Sequence, residues 1–371
     1  MRLGLNILYL IPGKVGGTET YARELIPALD GNLSSGDELI IYCSRECANL
    51  FLGLKNTRVV VLPFRAVSRP IRLLFEQIVL PILLVYHKVD TVFSLGYSSP
   101  RLAPCRSVVT IHDLNWYYHP EDFSPFSRLI WKWMTIYSAK FSSHIITDSQ
   151  SSKRSIVTHL NLPATKVTTI LHAAPRKISL TLEEVNDRLK KLNITSPYIA
   201  TTLAGYPHKN LLTLIAVFDK LSVKFPKLAL VVCGLRGKAD QSVHNFVHKK
   251  NLEKRIKILG YIEREDLVAV YSRCHAFVFP SAYEGFGYPP LEAMSYGAAV
   301  VSSNAFSLKE VVGDGGILVK PYDVGAYYKA ISTILSSVDV KHNLTKKGRQ
   351  RLKKLSWSTT AVRSLAICKT I

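Results

Sequence analysis

Two glutamates bracket a glycine-rich bend in Pro280-Ser281-Ala282-Tyr283-Glu284-Gly285-Phe286-Gly287-Tyr288-Pro289-Pro290-Leu291-Glu292. The bend follows the apolar run Ala276–Phe279. Gly285 and Gly287 permit a tight turn with open backbone N–H groups, and Pro289 or Pro290 suits the first turn of a helix. Such a helix points its unpaired N–H groups and the positive end of its dipole at whatever lies beyond the strand, which suits a phosphate. One carboxylate can then face a sugar ring while the other takes ribose hydroxyls, with the phosphate between them. The plainer alternative is a helix-favouring Glu292 and a solvated Glu284, and the Gly-Phe-Gly turn between the acids weighs against it.

Three further segments carry candidate chemistry. Gly13-Lys14-Val15-Gly16-Gly17-Thr18 links a first strand to a first helix, where glycines let a ligand approach the backbone. It matches neither the dinucleotide fingerprint nor the P-loop, so nicotinamide binding and P-loop hydrolysis are disfavoured. Thr110-Ile111-His112-Asp113-Leu114 ends another strand. His112 there suits a hydrogen bond to a sugar or a leaving phosphate, and reads equally as a satisfied loop histidine. Metal ligation with His119, Glu121 or Asp122 fits no standard spacing. In Ala204-Gly205-Tyr206-Pro207-His208-Lys209-Asn210, Lys209 can neutralise charge on a departing phosphate or simply be solvated.

The elements that must position these residues alternate throughout. Short β-branched runs at 3–11, 39–43, 58–62, 90–95, 107–111, 144–147 and 167–171 are separated by helical patterns such as 18–29, 71–86, 126–141 and 149–160. A polar stretch at 175–195 interrupts, and runs at 198–203, 228–233, 256–259, 276–279, 299–302 and 317–319 resume. This spacing predicts βαβ units and two doubly wound α/β domains joined near 174–196. Ligands of such sheets bind beyond the carboxyl ends of the strands, where all four motifs fall.

Composition sets the outer limits. In 371 residues, 47% are hydrophobic and 20% charged, which excludes disorder, collagen and coiled coil. Six scattered cysteines without a CxxC pair argue against a disulfide framework and for a reducing compartment. No apolar run is long enough to span a bilayer, and residues 3–11 read as a buried strand rather than a signal peptide. The net charge is +21, with 19 Lys/Arg against 12 Asp/Glu in residues 1–176 and 29 against 15 in residues 177–371. Such a surplus attracts phosphates on nucleotides, lipids or nucleic acids alike. The stretch Arg65–Lys88 reads either as a face resting on an anionic membrane or as a buried helix, and its apolar residues fill more than one face, which favours burial.

With these segments in this order, the chain resembles the retaining glycosyltransferases of family 4. Glu284-Gly285-Phe286-Gly287-Tyr288-Pro289-Pro290-Leu291-Glu292 is similar to that family's E-x7-E motif, with Pro280-Ser281 before it and Ser307–Asp314 after it. Ile111-His112-Asp113-Leu114 with His119-Pro120-Glu121 is similar to the branch that builds bacterial O-antigen polysaccharide, mannosyltransferases included. The resemblance covers nearly the whole chain. It implies the GT-B fold: two Rossmann-like domains facing each other across a cleft. Residues 1–175 would form the acceptor-side domain and 176–356 the nucleotide-sugar domain. Ser356-Trp357-Ser358 would lead a last helix, about 357–371, back onto the first domain.

The resemblance also implies roles. Glu292 would hold the ribose and Glu284 the transferred sugar, with Lys209 on the diphosphate. Phe286 and Gly287 would offer backbone N–H groups, Gly16 and Gly17 would line the phosphate, and His112 would contact the donor sugar. His208 stands where the family often has arginine, which throws more of the leaving-group stabilisation onto Lys209. The expected function is anomer-retaining transfer of a hexose, mannose favoured, to a lipid-linked or polysaccharide glycan in cell-surface polysaccharide biosynthesis. GDP-mannose is the favoured donor, with UDP- or dTDP-hexoses open. No metal or other cofactor is expected, since no DxD pair exists to hold one. The expected location is cytoplasmic and peripheral, on the inner face of the plasma membrane, with an anionic membrane surface as partner. Two other readings are a nucleotide-sugar epimerase on the same architecture and, from the charge, a basic nucleic-acid-binding protein. The second lacks helix-turn-helix, zinc-knuckle and aromatic-platform signals.

Overall fold

The computed structural model describes residues 1–195, 197–235 and 240–371. It divides into two compact units, Met1–Ala173 with Leu355–Ile371, and Ala174–Lys354.

The first unit is built on seven strands: β1 (Arg2–Asn6), β2 (Glu38–Cys43), β3 (Thr57–Val61), β4 (Thr91–Ser94), β5 (Arg106–Thr110), β6 (His144–Thr147) and β7 (Val167–Thr169). All pair in parallel, in the order β3-β2-β1-β4-β5-β6-β7. Runs such as Leu39-Ile40-Ile41 are apolar on both faces because helices cover both sides of a parallel sheet. The helix Gly17–Asp30 buries Tyr21, Ala22, Leu25, Ile26 and Leu29 against Leu3 and Leu5. The last helix, Trp357–Thr370, joins the same core through Ala361, Leu365 and Cys368. Thr91 Oγ1 donates to the Cys368 carbonyl at 2.9 Å and fixes that helix beside β4. The first strand is shorter than its apolar run suggests. After Asn6 the chain turns, with Leu8 N–H donating to Asn6 Oδ1 (3.2 Å) and Leu10 N–H to the Ile7 carbonyl (3.0 Å). Residues 7–10 are mostly buried without being strand, so apolarity there reports burial and not pairing.

The second unit holds β8 (Tyr198–Thr202), β9 (Ala229–Cys233), β10 (Ile256–Leu259), β11 (Phe277–Phe279), β12 (Val300–Ser303) and β13 (Ile317–Val319), again all parallel, in the order β10-β9-β8-β11-β12-β13. The polar stretch read as an interruption contains the helix Leu182–Lys191. Its start is fixed by a capping box, with Thr181 and Glu184 each bonding the other's backbone N–H. Only Val185 and Leu189, one turn apart, are buried, and Arg188 Nη1 donates to Asp266 Oδ1 at 2.7 Å. Two buried residues per helix are too few to register as periodicity.

In each sheet the strand order reverses once, between β1 and β4 and between β8 and β11. Loops after neighbouring strands diverge at such a point and leave a crevice for a ligand.

Candidate active site

The second unit's reversal point brings together two of the residues singled out above. Lys209 lies on the turn after β8 and Glu284 on the bend after β11. Lys209 Nζ donates to Glu284 Oε1 at 2.8 Å, with both side chains only partly exposed. The turns are tied to each other and to their neighbours by a set of short bonds. Ala282 N–H donates to the His208 carbonyl at 2.8 Å. Asn210 adopts the left-handed conformation at φ 58°, and its Nδ2 donates to the Pro280 (3.1 Å) and Pro321 (2.6 Å) carbonyls. Asparagine tolerates that conformation better than most residues and supplies the donor as well.

The bend itself is held by serine hydroxyls. Ser307 Oγ lies 2.7 Å from the Glu284 carbonyl and 2.8 Å from that of Phe286. Ser281 Oγ donates to the Tyr283 carbonyl at 3.0 Å, and Ser303 Oγ donates to the Ser281 carbonyl. Gly287 closes the bend at φ 102° and caps the helix Tyr288–Ser295. A Cβ there would stand 2.5 Å from Leu308 Cδ2, so a side chain would strain the backbone and displace the leucine tip. Glu292 sits on that helix with its Oε2 3.2 Å from the Tyr271 hydroxyl, which is also 3.2 Å from Thr202 Oγ1. Burial, and after it the Glu292 charge, push the Tyr271 phenol far above its usual range, so it remains a protonated donor. The Phe286 ring is buried and meets Tyr288 at 4.9 Å. The His208 ring is also buried, stacked 5.7 Å from Tyr206, so an aromatic packing position stands where the family pattern has a guanidinium.

In the first unit the loops after β5, β6 and β7 converge on a different arrangement. His112 Nδ1 is 2.7 Å from Asp148 Oδ2 and His112 Nε2 is 3.1 Å from the Leu95 carbonyl. Asp148 Oδ1 is 3.2 Å from His172 Nε2. Carboxylate and carbonyl can only accept, so both nitrogens of His112 must donate and the ring is an imidazolium. Burial opposes that charge, but the Asp148 charge and hydrogen bond outweigh it and raise His112 above its ordinary value. For Asp148 burial again works the other way, and the charges and hydrogen bonds of the two imidazoles hold the carboxyl well below the usual range. Tyr21 stacks on His172 at 4.5 Å and meets His112 edge-on at 5.1 Å. A sugar hydroxyl could therefore reach a His112 nitrogen only by replacing the Leu95 carbonyl. Asp148 and His172 were not foreseen from sequence. The one signal was an acid directly after a strand and before the helix cap Ser149, whose side chain accepts from Ser152 N–H.

Gly16 and Gly17 are exposed, and Gly16 caps the helix Gly17–Asp30 at φ 59°. The Gly13 N–H donates to Glu19 Oε2 at 2.7 Å, so a carboxylate from the chain itself already meets this loop. His119 pairs with Glu121 at 3.0 Å.

The lysine–glutamate pair lies on the second of two parallel sheets, and comparison with known proteins places the whole chain. The model of "Glycosyl transferases group 1" matches residues 185–351, and that of "Glycosyltransferase Family 4" matches residues 15–174. The O-antigen chain mannosyltransferase B of Escherichia coli is 33% identical over 267 residues, which cover 70% of this chain and 69% of that one. The chain belongs to the group 1, family 4 glycosyltransferases. Among solved structures, sucrose-phosphate synthase from Thermosynechococcus elongatus has a TM-score of 0.75 at 19% identity, covering 99% of this chain and 98% of that one. HepE of Anabaena, solved with UDP and glucose, has a TM-score of 0.73 at 17% identity, covering 100% of this chain and 99% of that one. At such identities these two speak for the fold, and this glycosyltransferase has the two-domain GT-B architecture.

Proposed function

We propose that this glycosyltransferase moves a hexose, mannose favoured, from a nucleotide sugar to a lipid-linked or polysaccharide glycan, with retention at the anomeric carbon. The observation that carries the reading is the Lys209–Glu284 pair on the two loops that flank the reversal point of the second sheet. A donor entering there exchanges one interaction for two. The Lys209 ammonium turns to the diphosphate, and the Glu284 carboxylate, released, accepts from the sugar hydroxyls. Glu292 takes the ribose hydroxyls, oriented by Tyr271, and the backbone at Phe286 and Gly287 faces the phosphate at the helix N-terminus.

The bond between C1 and the phosphate oxygen breaks while the acceptor oxygen bonds C1 from the same face. The acceptor proton passes to the departing phosphate, so no protein base is needed. Negative charge grows on the diphosphate as the bond breaks, and fixed cationic and dipolar groups stabilise it without reorganising. This reading needs no metal ion, and the nucleotide sugar enters as substrate rather than as cofactor. Support for mannose comes from the Escherichia coli relative named above, a mannosyltransferase, and GDP-mannose is the donor proposed with it. The acceptor is read as lipid-linked and met at the cytoplasmic face of the membrane.

The test is the product. Incubated with GDP-mannose and membrane-extracted acceptor, the protein should release GDP and give an α-linked mannoside whose C1–H1 coupling is read by NMR. A β-linked product, or consumption of UDP- or dTDP-hexose in preference to GDP-mannose, would overturn the corresponding part of the proposal.

A further inference from the structure

The stretch Arg65–Lys88 folds as a helical run over 69–86, two α-helical segments, Arg69–Leu74 and Leu80–Tyr86, joined by the π-helical turn Phe75–Val79. Its amphipathicity is inverted. Arg72 and Glu76 face inward with Leu80 and Leu84, and Glu76 accepts from Asn6 Nδ2 and Ser98 Oγ, each at 2.9 Å. Every exposed position from Ile71 to Tyr86 is apolar: Ile71, Leu74, Ile78, Ile82, Val85 and Tyr86, with Ile82 64% exposed. Spacings of three and four residues place the five aliphatic side chains on one stripe. An ordinary surface helix shows water the opposite face.

The stripe has a neighbour. Arg69 Nη1 donates to Ser127 Oγ (3.2 Å) in the helix Pro125–Phe141, whose exposed residues after Pro125 are Phe126, Leu129, Trp133 and Phe141 interleaved with Arg128, Lys132 and Lys140. Between the two helices Arg101 N–H donates to Gln77 Oε1 at 2.8 Å, and its guanidinium lies 4.7 Å from the Phe141 ring centroid. Leu102 beside it is 77% exposed. Neither helix exposes an acidic side chain.

The geometry points to this face as a docking surface for an anionic lipid bilayer. The aliphatic stripe enters the interfacial layer, Trp133 and Tyr86 sit at headgroup depth, and Arg65, Arg69, Arg101, Arg128, Lys132 and Lys140 meet lipid phosphates. A second copy of the chain is the wrong partner, because two such cationic faces would repel. The surface gives a purpose to the lipid-linked acceptor proposed above and rests on that reading for its purpose alone, since it is measured without donor or acceptor.

The full chain, sedimented with vesicles of phosphatidylglycerol and phosphatidylcholine, should bind at low salt and detach at high salt, and should bind phosphatidylcholine alone much more weakly. Ile78→Asp with Ile82→Asp should weaken binding at least tenfold. Lys132→Glu with Lys140→Glu should weaken it about thirtyfold on anionic vesicles only, as expected for about 1 kcal/mol per basic residue. All four positions are exposed, so the thermal transition and the nucleotide-induced rise in Tm should stay as in the wild type, which separates failure of the surface from failure of the donor site. Vesicle binding by the Ile78/Ile82 variant within twofold of wild type would overturn the proposal. So would a concentration-dependent wild-type dimer that this variant abolishes.

Discussion

The loop edges of the two sheets are built from similar parts and arrive at opposite states. In the first unit one carboxylate, Asp148, is shut in between two imidazoles, and both ring nitrogens of His112 meet acceptors of the chain itself. In the second unit one carboxylate, Glu284, is shared with a single lysine in a partly open pair. A closed network cannot take up a ligand without losing an internal bond, whereas an open pair exchanges one partner for another. The first edge is therefore tied up in the chain's own bonds, and the second is where the proposed function has a phosphate and a sugar received.

The largest effect should come from opening the closed network. Asp148→Ala leaves the His112 imidazolium buried without its counter-charge, and breaking such a pair costs about 3–5 kcal/mol. Scanning calorimetry should show the transition of this unit lowered by on the order of 10 °C. The effect depends on pH with a definite sign. The raised value of His112 adds stability that is complete below the ordinary histidine value near 6.5 and lost as pH rises through the native value. The depressed value of Asp148 adds stability that is present above the ordinary value near 3.9 and lost as pH falls through the native value. The gap between wild type and Asp148→Ala should thus be widest between about pH 4 and 6.5 and narrow on the alkaline side. A gap that widens from pH 6 to 9 would break the assignment of an imidazolium.

The open pair should respond in rate and not in stability. Lys209→Ala removes the cation that the proposed function turns to the leaving phosphate, and loss of one such group typically costs ~10²–10³ in kcat. Glu284→Ala should match it, while Tm in both stays close to wild type because each side chain keeps access to water. Because Lys209 is proposed to act on the departing diphosphate and Glu284 on the transferred sugar, the double variant should be slower than either single one. If Lys209→Ala destabilises as Asp148→Ala does, the contrast between the edges fails.

How far this contrast could be read in the sequence follows from which signals are local. The thirteen strands of the described residues lie within the β-branched runs or at their borders, because a parallel strand buried on both faces announces itself as continuous apolarity. The glycine bend, Lys209 and both glutamates are legible because they follow strands directly. Asp148 and His172 are not, since they meet His112 only when three separate strand ends are brought side by side. Ser281, Ser303 and Ser307 escape for the same reason, as a serine that braces a remote carbonyl looks like any other serine. The run 69–86 differs in another way: its apolar residues fill more than one face, and the structure buries Leu80 and Leu84 together with Arg72 and Glu76 while leaving six other apolar side chains exposed.

The smallest effect separates the geometry of the open edge from its charge. Gly287→Ala keeps Lys209, Glu284 and Glu292 but forces a β-carbon onto a backbone at φ 102° and against Leu308. A non-glycine residue in such a conformation costs about 1–3 kcal/mol, and the bend can relieve it only by shifting the Glu284 and Phe286 carbonyls off Ser307. Activity should fall by roughly 10-fold, less than for loss of the lysine, with KM for the donor rising more than kcat falls because the binding groups move while their chemistry is intact. Adding Leu308→Ala removes the 2.5 Å contact and leaves the backbone strain, so it should restore part of the donor affinity and none of the φ penalty. Full recovery would mean that space alone selects glycine here. No recovery would mean that the left-handed turn does.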